Sequence, residues 1–457
     1  MALYVNRPDR LLIPRWREFK ITSKTSELSH PLTPQLQEKR KLSTHNAYTT
    51  WSKNKSILNS IALVNSAVMS NELALAIDAA KMIKESPDSK SAQLVHLCDI
   101  VLGCKENTDD FVSNNVDLGN IIRKIGSKIN SRRNSLKKFP RNAIGWVDLA
   151  MWYTVLGKIE KAERAIKIAM DLQPTNPFVV RAVIRFYIHL ENHEKMNEIY
   201  QNTRRNKFFD NNPRIMASSL TLGTILNDKG LSVKKAFRLI DDENYAPFET
   251  SDLKAVLATM EYHSGALKNS RRLFRKSLNN ANENVVAQAE WANEQIGNLP
   301  IEIEHNSHEA KSYICFNKEN WTESYEEAID WLLDQPFSAE PASHSSYLAS
   351  AILDDNEKAI QICNIGLRSN PKNFTLLNNK AYSLAVNNDA EQAYHTIQKI
   401  NPADLSKIEK IVYDATMGAI QFQKGDIVAG EFYYSQAIGN AKEQRLSEME
   451  VMAKIYK

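Results

Sequence analysis

Residues that could do chemistry are sparse in this 457-residue chain, and their spacing does not favour catalysis. His189 and His193 stand four apart, the spacing at which one helix can present two imidazoles to a metal ion. No third ligand is evident beside them, and a turn is expected between them. His305 and His308 beside Glu309 form a second loose group in an irregular stretch. Both sets read as surface imidazoles, so no metal is expected. The cysteines (Cys98, Cys104, Cys315, Cys363) lack CxxC or Cys/His spacing and read as reduced packing residues. Three acidic doublets, Asp109–Asp110, Asp241–Asp242 and Asp354–Asp355, fall in expected turns, where aspartate serves the backbone. No serine sits in a nucleophile elbow. The 14 glycines include no GxGxxG or GxxxxGK[ST] phosphate cradle. Neither an enzyme nor a cofactor is expected.

Binding chemistry is better represented. The net charge is only +4, but it is unevenly spread. Residues 1–54 carry Arg7, Arg10, Arg15, Arg17, Lys20 and Lys24 with Trp16 and Phe19 among them, and four prolines oppose a long helix. They read as an extended basic arm, with one short helix at most, and with Leu11, Leu12, Ile13 and Trp16 as its dock. Residues 118–147 hold no acid. Lys124, Lys128 and Arg132 lie one turn apart there, with Arg133 beside them, opposite Ile122, Ile125 and Ile129. A second acid-free island contains Arg271 and Arg272. Such islands could neutralise phosphates or meet an acidic protein surface. Residues 301–357 carry thirteen Asp/Glu against Lys311 and Lys318. That polarity suits head-to-tail self-association or two differently charged partners.

These groups need elements to position them. From Trp146 the sequence reads WVDLAMWYTVLGKIEKAERAIKIAMDLQP, with apolar or small residues three and four apart on both sides of Gly157. That pattern predicts two amphipathic helices joined by a turn. Trp146, Leu149 and Tyr153 share a face of the first, Ala162, Ile166 and Ala169 a stripe of the second, and Pro174 ends the pair. The arrangement resembles a tetratricopeptide (TPR) repeat, with Ala150 replacing the usual glycine and Ile166 the usual aromatic. It returns after 34 residues at Val180, Val183, Ile184 and Tyr187, and near the C-terminus at Leu377, Ala381, Leu384, Ala393, Ile397 and Pro402.

The resemblance implies an all-α fold, a right-handed α-solenoid of helix-turn-helix units with an extended N-terminal arm, whose first helices line a concave groove. The groove positions are then Met151, Phe178, Arg181 and Arg185 in the early units and Asn378 and Tyr382 in a late one. A clamp for chaperone carboxylate tails is disfavoured. Asn379 matches its middle asparagine, but His344, Leu348, Val412 and Thr416 stand where the other polar and cationic residues belong.

The expected organisation is an arm over 1–54, degenerate helices over 55–140, TPR-like repeats over 141–299, an irregular insertion over 300–320, and repeats with a capping helix over 321–457. No apolar run is long enough for a membrane span, and the N-terminus lacks a secretory signal, so a cytoplasmic protein is expected. The leading reading is a non-catalytic adaptor or scaffold subunit that binds a protein or peptide in the groove. Two further readings stand beside it: a nucleic-acid-associated subunit using 118–147 and the arm, and a peptide-sensing regulator.

Overall fold

The structure is a computed structural model that describes residues 7, 9–18, 34–70, 72–86, 92–102, 118–206, 209, 211–241, 245–303 and 306–456. Phe19, Lys20, Lys24, Cys104, Asp109, Asp110, Asp242 and His305 lie outside them. Every regular element among the described residues is helical. The chain divides into two compact units, one of residues 1–18 and 118–457, the other of residues 19–117.

The smaller unit contains α1 (Pro34–Lys53), α2 (Ile57–Ser70), α3 (Ile77–Glu85) and α4 (Ala92–Leu102). Leu63, Val64, Ala79, Ala80, Ile83 and Cys98 form its core. The Trp51 indole N–H donates to Ser60 Oγ at 2.8 Å, so the ring is buried without orphaning its donor. Helix α1 differs from the expectation of an extended arm to residue 54. Its many polar residues hide the helical signal, and Trp51 ties it to α2 through that hydrogen bond.

The larger unit begins with α5 (Leu118–Lys138). Helix pairs follow as α6 (Ala143–Val155) with α7 (Ile159–Leu172), α8 (Pro177–His189) with α9 (His193–Arg205), α10 (Pro213–Ile225) with α11 (Val233–Ile240), and α12 (Pro247–His263) with α13 (Leu267–Ser277). A single helix α14 (Glu283–Ile296) interrupts the pairing. Pairs resume as α15 (His308–Asn317) with α16 (Trp321–Asp334), α17 (Ala339–Tyr347) with α18 (Asn356–Ser369), α19 (Phe374–Val386) with α20 (Ala390–Ile397), and α21 (Lys407–Gln423) with α22 (Ile427–Glu443). Helix α23 (Ser447–Tyr456) closes the chain. The expected insertion at 300–320 is partly ordered helix, because α15 occupies its second half and Ile301 packs against the core before it.

Local chemistry sets this rhythm. Asn142, Asn176, Asn192, Asn212, Asn282 and Asn373 each cap a helix, accepting a backbone N–H from its first turn. Pro177 and Pro213 occupy the first helical position, where no N–H is needed. A residue of positive φ marks the turn inside each pair: Gly157, Glu191, Asn227, Gly265, Glu319, Asp354, Asn388 and Gly425. At Gly157 the requirement is double, since φ is +68° and an added Cβ would lie 2.3 Å from the Arg368 carbonyl oxygen.

Successive first helices α6, α8, α10, α12 and α14 contact one another, as do α17, α19 and α21. This neighbour-to-neighbour stacking is an α-solenoid, in which each pair buries its stripe against the next. Leu220, Leu253, Leu257, Phe274, Val285 and Trp291 carry one continuous stretch of that core. The stack also meets itself, because α5 and α6 pack against α18.

Candidate functional site

Residues 7 and 9–18 run along first helices of the solenoid, and α14 supplies more of their hydrogen bonds than any other helix. Asn284, Gln288 and Trp291 fall at i, i+4 and i+7, one face of that helix. Asn284 Nδ2 donates to the Ile13 carbonyl at 2.9 Å, Gln288 Nε2 to the Arg10 carbonyl at 2.7 Å and Trp291 Nε1 to the Arg7 carbonyl at 2.6 Å. Thr221 Oγ1 of α10 donates to the Leu12 carbonyl at 3.1 Å. The segment therefore runs antiparallel to α14, held by its main chain.

Its arginines meet a row of acids. Arg7 pairs with Glu290 through both terminal nitrogens, at 2.8 and 3.2 Å, and reaches Glu294 at 3.4 Å. Arg10 bonds both Glu309 oxygens, at 2.9 and 3.0 Å. Arg15 lies 2.7 Å from Glu309, and Arg17 is 2.6 Å from Glu283 and 2.8 Å from Asp334. Glu18 closes the segment, accepting from Lys128 at 2.6 Å and Arg132 at 3.4 Å. Two apolar anchors complete the fit. Leu12 joins the core near Leu220 and Leu253, and Trp16 is 1% exposed, its ring 5.9 Å from Phe186 and 5.2 Å from Phe337.

Electrostatics in this groove follow from burial. Burial alone would raise the Glu309 carboxyl, but the guanidinium groups of Arg10 and Arg15 overcome it and hold the pKa at about 2. Glu290 goes the other way: burial pushes it up to about 7 against the pull of Arg7. The fully buried His344 is lowered to about 3, so its ring is neutral at pH 7. It stacks on Tyr313 at 4.5 Å, and its Nε2 lies 3.0 Å from Ser312 Oγ. That spacing would suit a base and a nucleophile, but both side chains are fully buried and out of a substrate's reach.

The sequence-predicted groove residues are engaged within the fold. Met151, Arg185 and Asn378 are buried, while Phe178, Arg181 and Tyr382 are half-buried. Arg181 pairs with buried Asp252 at 2.9 Å. Arg185 donates to Ser338 Oγ at 3.2 Å and sits 4.9 Å over the Phe337 ring that also packs Trp16. Asn379 donates to Ser346 Oγ at 3.3 Å.

The basic residues do not form one patch. Lys128 and Arg132 are spent on Glu18, and Arg132 also on Asp148 at 2.7 Å. Lys124 and Arg133 of α5 are exposed, as is Arg272 of α13, whereas Arg271 donates to the Ile296 carbonyl at 2.6 Å. The charge polarity expected to drive association is met in part within the chain, since the arm's arginines lie on Glu309 and Asp334 of the acidic stretch.

His189 is half-buried at the end of α8, with desolvation and Arg185 holding it at about 3, while His193 opens α9 in solvent. The two do not converge. His308, Glu327 and Asp330 do come together, with ligand atoms within 4.8 Å of one another. Lys311 already lies 3.1 Å from Glu327, which makes the group an ion-pair network. A separate cleft of about 470 Å³ between α5 and α18 is lined by Leu118, Ile122, Arg123, Ile365 and Arg368.

Sequence reasoning missed the acids that receive the arm. Arg10 and Glu309 are 299 positions apart, and neither local periodicity nor local spacing reports such a pair.

No family model matches the chain, and no curated protein matches its sequence. Among solved structures it is similar to one of Naa15/Naa10 bound to HypK-THB, at 12% identity and a TM-score of 0.25, covering 93% of this chain and 72% of that one. It is also similar to a monomeric mutant of IFIT1 with m7Gppp-AAAA, at 10% identity and a TM-score of 0.33, covering 90% of this chain and 98% of that one. Likeness at this level carries no conclusion about what this chain binds. No helix among the described residues is long and apolar enough to cross a membrane.

Proposed function

We propose that the chain is a non-catalytic scaffold of TPR-like helix pairs that works by holding an extended segment of polypeptide in its groove. The observation that carries this reading is the set of side-chain donors, Thr221, Asn284, Gln288 and Trp291, aimed at main-chain carbonyls of a segment without regular secondary structure. Hydrogen bonds to the main chain hold a segment whatever its side chains, and the flanking acids and aromatic pocket select among segments.

The nucleic-acid reading retains one specific support. Arg133, Lys137, Lys138 and Arg141 are exposed around the end of α5, with Phe139 63% exposed among them. The arm's arginines do not contribute to it, because each is neutralised by a groove acid.

Affinity capture of the full chain from native extract, repeated across a salt series with and without nuclease, tests the scaffold reading. A stoichiometric protein partner retained at high salt and insensitive to nuclease is the expected result. Binding that falls steeply with salt and vanishes with nuclease would replace it with the nucleic-acid reading. Capture of neither partner would overturn both.

A further inference from the structure

We propose that the groove formed by α10, α12, α14 and α15 is a receptor for an extended, arginine-rich segment of a partner protein, and that residues 7–18 are its occupant in cis. The proposal rests on the scaffold reading and adds the ligand's chemistry and what competes for the site.

Three features of the contact set point to a ligand site. First, every element of recognition is one that a free peptide could supply. Carbonyls at Arg7, Arg10, Leu12 and Ile13, four guanidinium groups, the Glu18 carboxylate, one aliphatic side chain and one indole make the hold. Second, the segment is not placed there by its chain neighbours. Residues 19–117, a compact unit of their own, separate it in sequence from α5, and its partners on α10 and α14 lie more than 200 positions away. Third, the groove is acidic where the segment is basic. With the segment in place Glu309 is 7% exposed and Glu290 3% exposed, and at that depth each carboxylate is matched by a guanidinium, as a basic occupant from any chain would match it.

Geometry favours arginine over lysine. Glu309 accepts from Arg10 through two oxygens while also receiving Arg15, and Glu290 accepts from two nitrogens of Arg7. A planar fork makes such paired bonds, and a lysine ammonium does not. The pattern the groove reads is Arg-x-x-Arg-x-Leu-x-x-Arg-Trp-Arg. A tethered occupant at an effective concentration of about 1 mM raises the apparent Kd of a free competitor of about 1 µM affinity by about 1,000-fold. The arm thus sets a threshold that a partner segment crosses by avidity, or when another contact frees the arm.

The test uses the full chain and a fluorescein-labelled peptide of residues 7–18, read by fluorescence anisotropy. A peptide of the same composition in scrambled order is the control. Arg10→Ala with Arg15→Ala weakens the cis occupant and leaves the groove intact. Apparent affinity for the peptide should then rise by about 100-fold or more over wild type. The scrambled peptide should not bind, and adding Glu309→Gln should remove the gain.

A well-folded double variant that binds the peptide no tighter than wild type, or binds the scrambled sequence equally, overturns the proposal. Should the double variant fail to fold, saturating peptide must restore its cooperative melt, and failure to do so shows the arm to be permanent core. None of these failures touches the capture experiment, which tests the scaffold reading separately.

Discussion

Glu309→Gln is the sharpest perturbation of the groove, because one neutralisation reaches two buried guanidinium groups. Glu309 lies 2.9 Å from Arg10 and 2.7 Å from Arg15, with Arg15 as buried as the acid itself. Its pKa falls from an ordinary 4.5 to about 2, which corresponds to about 3 kcal/mol in favour of the ionised groove. Breaking one side of a buried ion pair removes about 3–5 kcal/mol, so the two routes agree. The loss has a ceiling: once it exceeds the docking free energy of the arm, the arm undocks and further damage costs nothing. Urea unfolding at pH 7 should therefore show a loss of about 3 kcal/mol. Hydrogen exchange should locate the new exposure at residues 10–17 and along α14. The pH dependence carries a fixed sign. Because the folded pKa is depressed, the stabilisation is fully present above about 4.5 and disappears as pH falls through about 2. Wild type and variant should converge across that window. A loss under about 0.5 kcal/mol at pH 7, or a difference that does not change with pH, would refute the reasoning.

Three contrasts extend it. Glu290→Gln should be milder, under about 1 kcal/mol at pH 7 in the same urea assay, because burial already penalises that carboxylate and the amide oxygen can still accept from Arg7. Trp16→Ala should remove about 3–5 kcal/mol, as truncation of a fully buried aromatic does. Combined with Glu309→Gln it should be less than additive, since both release the same arm, and full additivity in a double-mutant cycle would show the two contacts to be independent. Gly157→Ala should lower stability by about 1–3 kcal/mol, through its positive φ and the Arg368 carbonyl in its way. Gly265→Ala, with positive φ but nothing within 4 Å, should lose only the backbone component in thermal melts.

The repeat was legible because its signals are local. Ala162, Ile166 and Ala169 announce a packing stripe within one helix, and the structure buries all three. Glycine was not a dependable guide to the turns. Glu191, Asn227, Glu319, Asp354 and Asn388 hold positive φ where glycine would have advertised the turn, so those turns had to be placed from the helices on either side. Helix α1 escaped because its apolar residues are too few to mark a stripe. The anchoring of the arm was foreseeable from Leu12 and Trp16, which are apolar in a polar context. Its destination was not, because the acids that receive it sit on helices where a solvent-exposed glutamate would look the same.

Arg181 and Arg185 show why a groove position is not by itself a site. Both fall on a first helix, as the repeat requires, yet the fold already uses each of them. Arg181 neutralises Asp252, and Arg185 packs on the ring that seats Trp16. A cation lining a concave surface can serve a ligand only if the interior leaves its charge unmatched. In this groove the excess charge is negative, at Glu283, Glu290, Glu309 and Asp334, and each of these acids meets an arginine of the arm. The ligand proposed for this groove is basic for that reason: an acidic peptide that displaced the arm would bring further carboxylates beside these four acids.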